Sequence, residues 1–239
     1  TRLLQQKGEF SINFVRFDSP PSYRSNGATL PSSLKRLGLL VAKIDFKKTL
    51  KALYAPSQKD FVVVDIPKMN FVMIDGAGPP GNQAYTNACS WLFPISYGLK
   101  FMSKITLKQD YVVPPLEGLW WANDMTAYTE NRKDEWQWTL MIMVPEWITH
   151  DMFTQSLDKA SSKLGTPPET LRFEALEEGK SVQILHLGPF SEEGPTLARL
   201  HKEYMPAHGL TWNGKHHEIY LSDPRKSAPE KLRTVLRQP

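Results

Sequence analysis

The segment His216-His217-Glu218-Ile219-Tyr220-Leu221 alternates as a strand does, so His216, Glu218 and Tyr220 share one face and His217, Ile219 and Leu221 the other. If the first face lines a cleft, Glu218 is a carboxylate in low dielectric, able to pair with a cation or act as a general base. Tyr220 could then donate its hydroxyl to a carbonyl. The same alternation also fits a half-buried sheet with a solvated polar face. A second concentration of chemistry is aromatic: Trp120, Trp121, Tyr128, Trp136 and Trp138 fall between residues 120 and 138. Strand geometry puts Trp136 and Trp138 on one face and Trp120 and Trp121 on opposite faces. Any one of them can be core, but four tryptophans exceed what one small core layer needs. Flat aromatic walls hold planar or cationic organic molecules.

Other chemistry is poorly served. The run Gly76-Ala77-Gly78-Pro79-Pro80-Gly81 carries two prolines, which remove amide donors that a phosphate cradle needs. There is no Gly-x-Ser-x-Gly nucleophile elbow and no His-Glu-x-x-His. His216 and His217 point to opposite faces and have no cysteine ligands nearby, so no metal site is expected. Cys89 falls on the apolar side of a helix with Trp91 and Leu92 and reads as a packed thiol.

These residues must be positioned by the rest of a 239-residue chain that is 41% hydrophobic and 23% charged, an ordinary globular composition. No apolar stretch approaches the length of a membrane helix, so no membrane partner is expected. The net charge of +4 is uneven. Residues 1–43 hold seven Lys/Arg against Glu9 and Asp18, whereas 44–239 hold 22 against 23 acids. With the basic excess outside the folded part, no nucleic-acid partner is expected. Residues 1–43 show no persistent period and read as a poorly structured basic extension. Their Arg/Ser-rich, acid-poor make-up is also that of an organelle transit peptide; without such targeting the location expected is cytoplasmic.

From residue 44 onward the pattern predicts an α+β domain. Phe61 to Ile66 and Met69 to Asp75 read as a hairpin, followed by a helix over about 83–104 that Pro94 should kink or divide. Strands at Tyr111 to Trp121 and Trp136 to Val144 complete repeat one, about 60–145. After a linker helix over about 149–164 the order recurs in repeat two, about 170–239. A hairpin (171–176 and 181–187) ends in Gly188-Pro189 as the first ends in Gly78-Pro79, and a helix over about 192–204 and strands at 216–221 and 230–237 follow. The expected architecture is thus duplicated strand-helix-strand-strand modules. Their third strands, bearing Glu117, Trp120 and Trp121 in one and Glu218 and Tyr220 in the other, should meet near a pseudo-two-fold axis, with a ligand cleft between the repeats.

The segments Pro115-Leu116-Glu117-Gly118-Leu119-Trp120-Trp121, Ser96-Tyr97-Gly98-Leu99-Lys100-Phe101 and His216 to Pro224 resemble those of the GyrI-like small-molecule-binding family, from about Asp60 to Pro239. The resemblance implies two such modules with a ligand cleft between them, and an acid at Glu218 that meets cationic drugs in multidrug-sensing regulators. No helix-turn-helix precedes the domain, so a DNA-regulator function is not implied. Stand-alone members with Gly-Leu-Trp-Trp resemble cyclopropanoid cyclopropyl hydrolases, which open the strained ring of DNA-alkylating natural products. That implies a hydrophobic or aromatic ligand and no cofactor. Glu218 would activate water, and Tyr97 or Tyr220 would hydrogen-bond the carbonyl. Trp120, Trp121, Trp136 and Trp138 would clamp the substrate, with His216 and Glu117, the counterpart acid of the first repeat, beside it. The alternatives are a non-catalytic drug-binding or sequestering domain and, raised by the family name alone, a module that inhibits a protein partner.

Overall fold

The computed structural model describes residues 42–124, 127, 130 and 132–239. Tyr128 and the basic extension up to residue 41 lie outside the described residues. In chain order the elements are β1 (Lys43–Ile44), α1 (Phe46–Thr49), α2 (Lys51–Tyr54), β2 (Val62–Ile66), β3 (Met69–Ala77), α3 (Gln83–Met102), β4 (Asp110–Tyr111), β5 (Leu116–Trp121) and β6 (Gln137–Val144). They continue with α4 (His150–Leu164), β7 (Arg172–Leu176), β8 (Gly179–Leu187), α5 (Gly194–Arg199), α6 (Met205–Ala207), β9 (His216–Tyr220) and β10 (Arg233–Gln238). A wide helical turn, Leu200–Tyr204, joins α5 to α6, so the second repeat's helix is one run over 194–207. Among the described residues no helix is long and apolar enough to cross a membrane.

Side-chain oxygens start the two long helices. Asn82 accepts the Tyr85 amide at 2.7 Å before α3, and Thr149 accepts the Met152 amide at 3.3 Å before α4. Of the two outcomes expected of Pro94, a kink or a division, the division does not occur, and α3 runs on through it. The interior proline costs roughly 3 kcal/mol, whereas the buried Trp91, Leu92, Ile95 and Leu99 flank it on one continuous apolar stripe. Burying each side chain of that size is worth about 1.5–3 kcal/mol, so burial wins. The expected strand Tyr111 to Trp121 is cut into β4 and β5, because Pro114 and Pro115 have no amides with which to continue a ladder.

Eight strands form one sheet in the order β2-β8-β10-β9-β5-β6-β3-β7. This order is symmetric about the β9–β5 pair, as two copies of the same module require. The hairpins are a correction: β2 does not pair with β3 nor β7 with β8. Instead β2 lies on β8 and β7 on β3, so each repeat gives its first strand to the other's edge. A two-residue hairpin turn of the favoured kind needs positive φ at its centre. Pro67 is fixed near φ −65°, and among the described residues the only non-glycine with positive φ is Lys108. The chain therefore crosses over rather than folding back.

Strand alternation divides the sheet into two faces. On the front, α3 covers Val72, Ile74, Leu140 and Ile142 of the first repeat, while the 194–207 run covers Val182 of the second through Leu200 and Met205. On the back, Phe46, Leu50, Leu53 and Tyr54 pack over Phe71, Met141, Leu185, Ile219 and Val235. The short helices α1 and α2, for which no element was expected, thus close the second face.

Candidate functional site

The β5–β9 pair sets Glu117 opposite Ile219, Gly118 opposite Glu218 and Trp120 opposite His216. Directly opposed residues share a face, so Gly118, Trp120, His216, Glu218 and Tyr220 all stand on the front, between the two covering helices. The α3 side is reached through Tyr85, stacked on Trp120 with ring centroids 6.4 Å apart. The other side is reached through Phe190, edge-on to Tyr220 at 5.7 Å. Trp136 meets Trp120 edge-on at 6.1 Å, and Trp138 meets Tyr85 edge-on at 5.7 Å. At the centre, Trp120 Nε1 donates to the Tyr220 hydroxyl at 2.8 Å.

That hydrogen bond depends on Gly118. A Cβ there would stand 2.8 Å from Trp120 Nε1 and 3.0 Å from the Tyr220 hydroxyl, in the gap the two side chains cross. Gly118→Ala is expected to break the bond and splay the rings. Thermal melts should show a loss of about 1–3 kcal/mol, accompanied by a shift of tryptophan emission; an unchanged emission spectrum would contradict this placement.

The Glu218 side chain is 16% exposed and that of His216 11%, so both are largely desolvated. His216 Nε2 lies 3.6 Å from Glu218 Oε1. Burial first, then the charge of Glu218, push the Tyr220 hydroxyl well above its ordinary value. Burial also raises Tyr85, with Cys89 and Glu218 adding to it. Both phenols therefore remain neutral hydrogen-bond donors beside the carboxylate. Cys89 is buried and its thiol is pushed up to about 12, which leaves it unreactive.

Three residues expected at the cleft stand elsewhere. Glu117 precedes Gly118 by one residue and so points to the back, where it is fully buried. Its carboxylate accepts from Tyr54 at 3.0 Å and lies 3.0 Å from His217 Nε2. His217 Nδ1 is 2.8 Å from Glu178, which accepts from Arg237 at 2.8 Å. Trp121 is likewise on the back, its Nε1 bonded to Gln137 and Lys215 Nζ 3.1 Å from its ring centre. Tyr97 lies on the outer side of α3, 48% exposed beside Phe101, because the residues one and two positions before it are the ones turned to the core. Of the expected residues, Glu218, Tyr220, His216, Trp120, Trp136 and Trp138 are brought together. Trp138, 1% exposed, is core beneath the others. Tyr85 was missed, because nothing in the helical pattern of α3 marks it as reaching Trp120.

The family profile described as the GyrI-like small molecule binding domain matches residues 59–239. The chain belongs to the GyrI-like family. Among solved structures, this GyrI-like chain is similar to an uncharacterized conserved protein from Listeria innocua at 40% identity and TM-score 0.75, over 82% of this chain and 99% of the other. Two structures of a hydrolase from the same organism match at 40% identity over 82% and 83% of this chain and 99% of theirs, with TM-scores of 0.71 and 0.73. No curated protein matches the chain. The GyrI-like match begins at residue 59, so α1 and α2, which cover the back of the sheet, precede it.

Within the GyrI-like domain the motif residues divide their tasks. Gly98 admits α4, since a Cβ there would meet Ser156 Oγ, and that hydroxyl donates to the Ile95 carbonyl at 3.0 Å. Lys100 forms a buried ion pair with Asp110, which anchors the end of α3 to β4. Gly118 and Trp120 serve the front, while Glu117 serves the back. Among the described residues no group of three or more His, Cys, Asp or Glu converges as a metal site. The front arrangement gathers a carboxyl group, neutral donors and aromatic surfaces around one desolvated point.

Proposed function

We propose that this GyrI-like protein binds flat, hydrophobic aromatic molecules over Gly118 and hydrolyses cyclopropanoid electrophiles with a water activated by Glu218. The observation that carries the reading is the carboxylate of Glu218 at the junction of the two repeats, partly open and flanked by aromatic rings and neutral tyrosines. A 40% identity to structures described as a hydrolase supports a catalytic rather than a purely sequestering site.

A cyclopropane conjugated to a dienone needs only a placed water, a base and a donor to the oxygen that gains charge. Glu218 takes a proton from water as the water oxygen bonds to the ring methylene. The strained carbon–carbon bond breaks and its electrons pass to the dienone oxygen, leaving a phenolate. Tyr220 is occupied with Trp120 and Glu218 and acts by orienting the base. Tyr85, stacked on Trp120, supplies a further aromatic surface beside the ligand in this reading. Opening the ring removes the electrophile, so the consequence is detoxification of a DNA alkylator.

Incubation with a duocarmycin-type cyclopropanoid tests this. Mass spectrometry should show the ligand plus one water, formed faster than in buffer. Tight binding with no water adduct would make the protein a sequestering domain instead.

A further inference from the structure

Glu193 immediately precedes α5 and is 5% exposed, yet its Oε1 has no hydrogen-bond partner. Leaving a buried polar atom unpaired costs about 1–3 kcal/mol, and such atoms persist in native proteins where a ligand or a reaction uses them. It is not alone. His216 Nδ1 and Nε2 and His201 Nδ1 are also buried without a hydrogen-bond partner, although His216 Nε2 lies 3.6 Å from Glu218 Oε1. These atoms belong to β9 and to the 190–207 segment, which meets the front site where Phe190 packs edge-on against Tyr220 at 5.7 Å. Unmet hydrogen-bonding capacity thus lies on the elements that carry Glu218 and Glu193.

Resting on the hydrolytic reading above, we propose that Glu193 is a further catalytic residue, the acid that hands a proton to the oxygen of the opened ligand while Glu218 takes one from the attacking water. Burial and then the charge of Glu218 hold the Glu193 carboxyl well above the ordinary range, with the Thr234 hydroxyl pulling partly against them. Both effects favour the protonated form of Glu193. Two neighbouring carboxyls whose environments differ in this way divide into an acid and a base. The other titratable groups on the elements around it are Tyr220 on β9, His186 on β8, and Glu192 and His201 on its own segment. His186 Nε2 is engaged by the Pro189 carbonyl at 3.2 Å, and burial together with His216 lowers His201 to about 4, so neither supplies the proton.

The step balances. The water oxygen joins the methylene and one water proton goes to Glu218. The ring bond breaks toward the dienone oxygen, which takes the Glu193 proton to become a phenol. Glu218 then returns its proton to Glu193, and the net change is addition of one water.

The test compares pH–rate profiles of wild type and Glu193→Gln for the same duocarmycin-type cyclopropanoid, with infrared spectra of each protein. Wild-type turnover should fall as pH rises through the raised Glu193 value. Glu193→Gln, which can donate a hydrogen bond but no proton, should lose about 10²-fold in kcat and lose that limb. A protonated-carboxyl band present in wild type at neutral pH should vanish in the variant. If Glu193→Gln does not fold, Glu193→Asp should keep both limb and band at a reduced rate. Wild type active with an unchanged variant profile, or without the band, overturns the role of Glu193 alone. Wild type without a water adduct overturns the hydrolytic reading on which it rests.

Discussion

Glu218→Gln should lower turnover of a cyclopropanoid by about 10²-fold or more while leaving binding of the neutral ligand nearly intact. The amide keeps the shape of the side chain but has no basic oxygen, so the water loses its proton acceptor. The aromatic surfaces beside Glu218, Trp120, Tyr85 and Trp136, are untouched by the change. The expected signature is a drop in kcat with little change in KM. The same substitution removes the negative charge that helps raise the Glu193 carboxyl, so any protonated-carboxyl band of Glu193 should titrate at lower pH. Unchanged turnover in Glu218→Gln would exclude this carboxylate as the base. Steady-state rates measured beside equilibrium binding by tryptophan quenching decide it.

The largest effect on stability is expected on the opposite face. Glu117, His217, Glu178 and Arg237 form a buried run in which carboxyl groups meet an imidazole and a guanidinium, and which also grips α2. Tyr54 donates to Glu117, Arg237 to the Leu53 carbonyl at 3.1 Å, and Gln183 to the Ala52 carbonyl at 2.6 Å. Arg237→Met leaves Glu178 buried with half its compensation and should cost about 3–5 kcal/mol in chemical denaturation. A loss below 1 kcal/mol would mean that water reaches the network and solvates it.

The pH dependence has a definite sign. Burial alone would raise the Glu178 carboxyl, but the His217 charge and hydrogen bond and the Arg237 guanidinium outweigh it and hold it at about 2. A lowered carboxylate contributes stability above its unfolded value near 4.5 and loses it as pH falls toward 2, roughly 3 kcal/mol in all. His217 behaves oppositely. Burial lowers it, but Glu178 and Glu117 raise it above its ordinary value, so its contribution is complete below that value and is lost as pH rises through the folded one. Arg237→Met should shift the acid loss toward higher pH.

What could be read in advance followed from local periodicity. Alternation along residues 216–221 placed Glu218 and Tyr220 together, and the repeated order of elements placed their strand beside that of Trp120. The exchange of β2 and β7 between repeats was hidden, because pairing partners are distant in sequence and only the unsuitability of Pro67 for a tight turn hinted at it. Pairing Glu117 with Glu218 as counterparts failed on a shift of one residue, which in a strand is a change of face. Tyr85 reaches Trp120 from a helix whose own pattern carries no mark of it. The short helices at 46–54 span too few residues for a helical period to show.

The most direct measurement of the central claim is one turnover of a duocarmycin-type cyclopropanoid in water enriched in oxygen-18, followed by mass spectrometry of both product and protein. If Glu218 activates water, the product carries one labelled oxygen and the protein mass is unchanged. Label in the Glu218 carboxylate, or a ligand covalently held there, would show direct attack by the side chain and contradict the account.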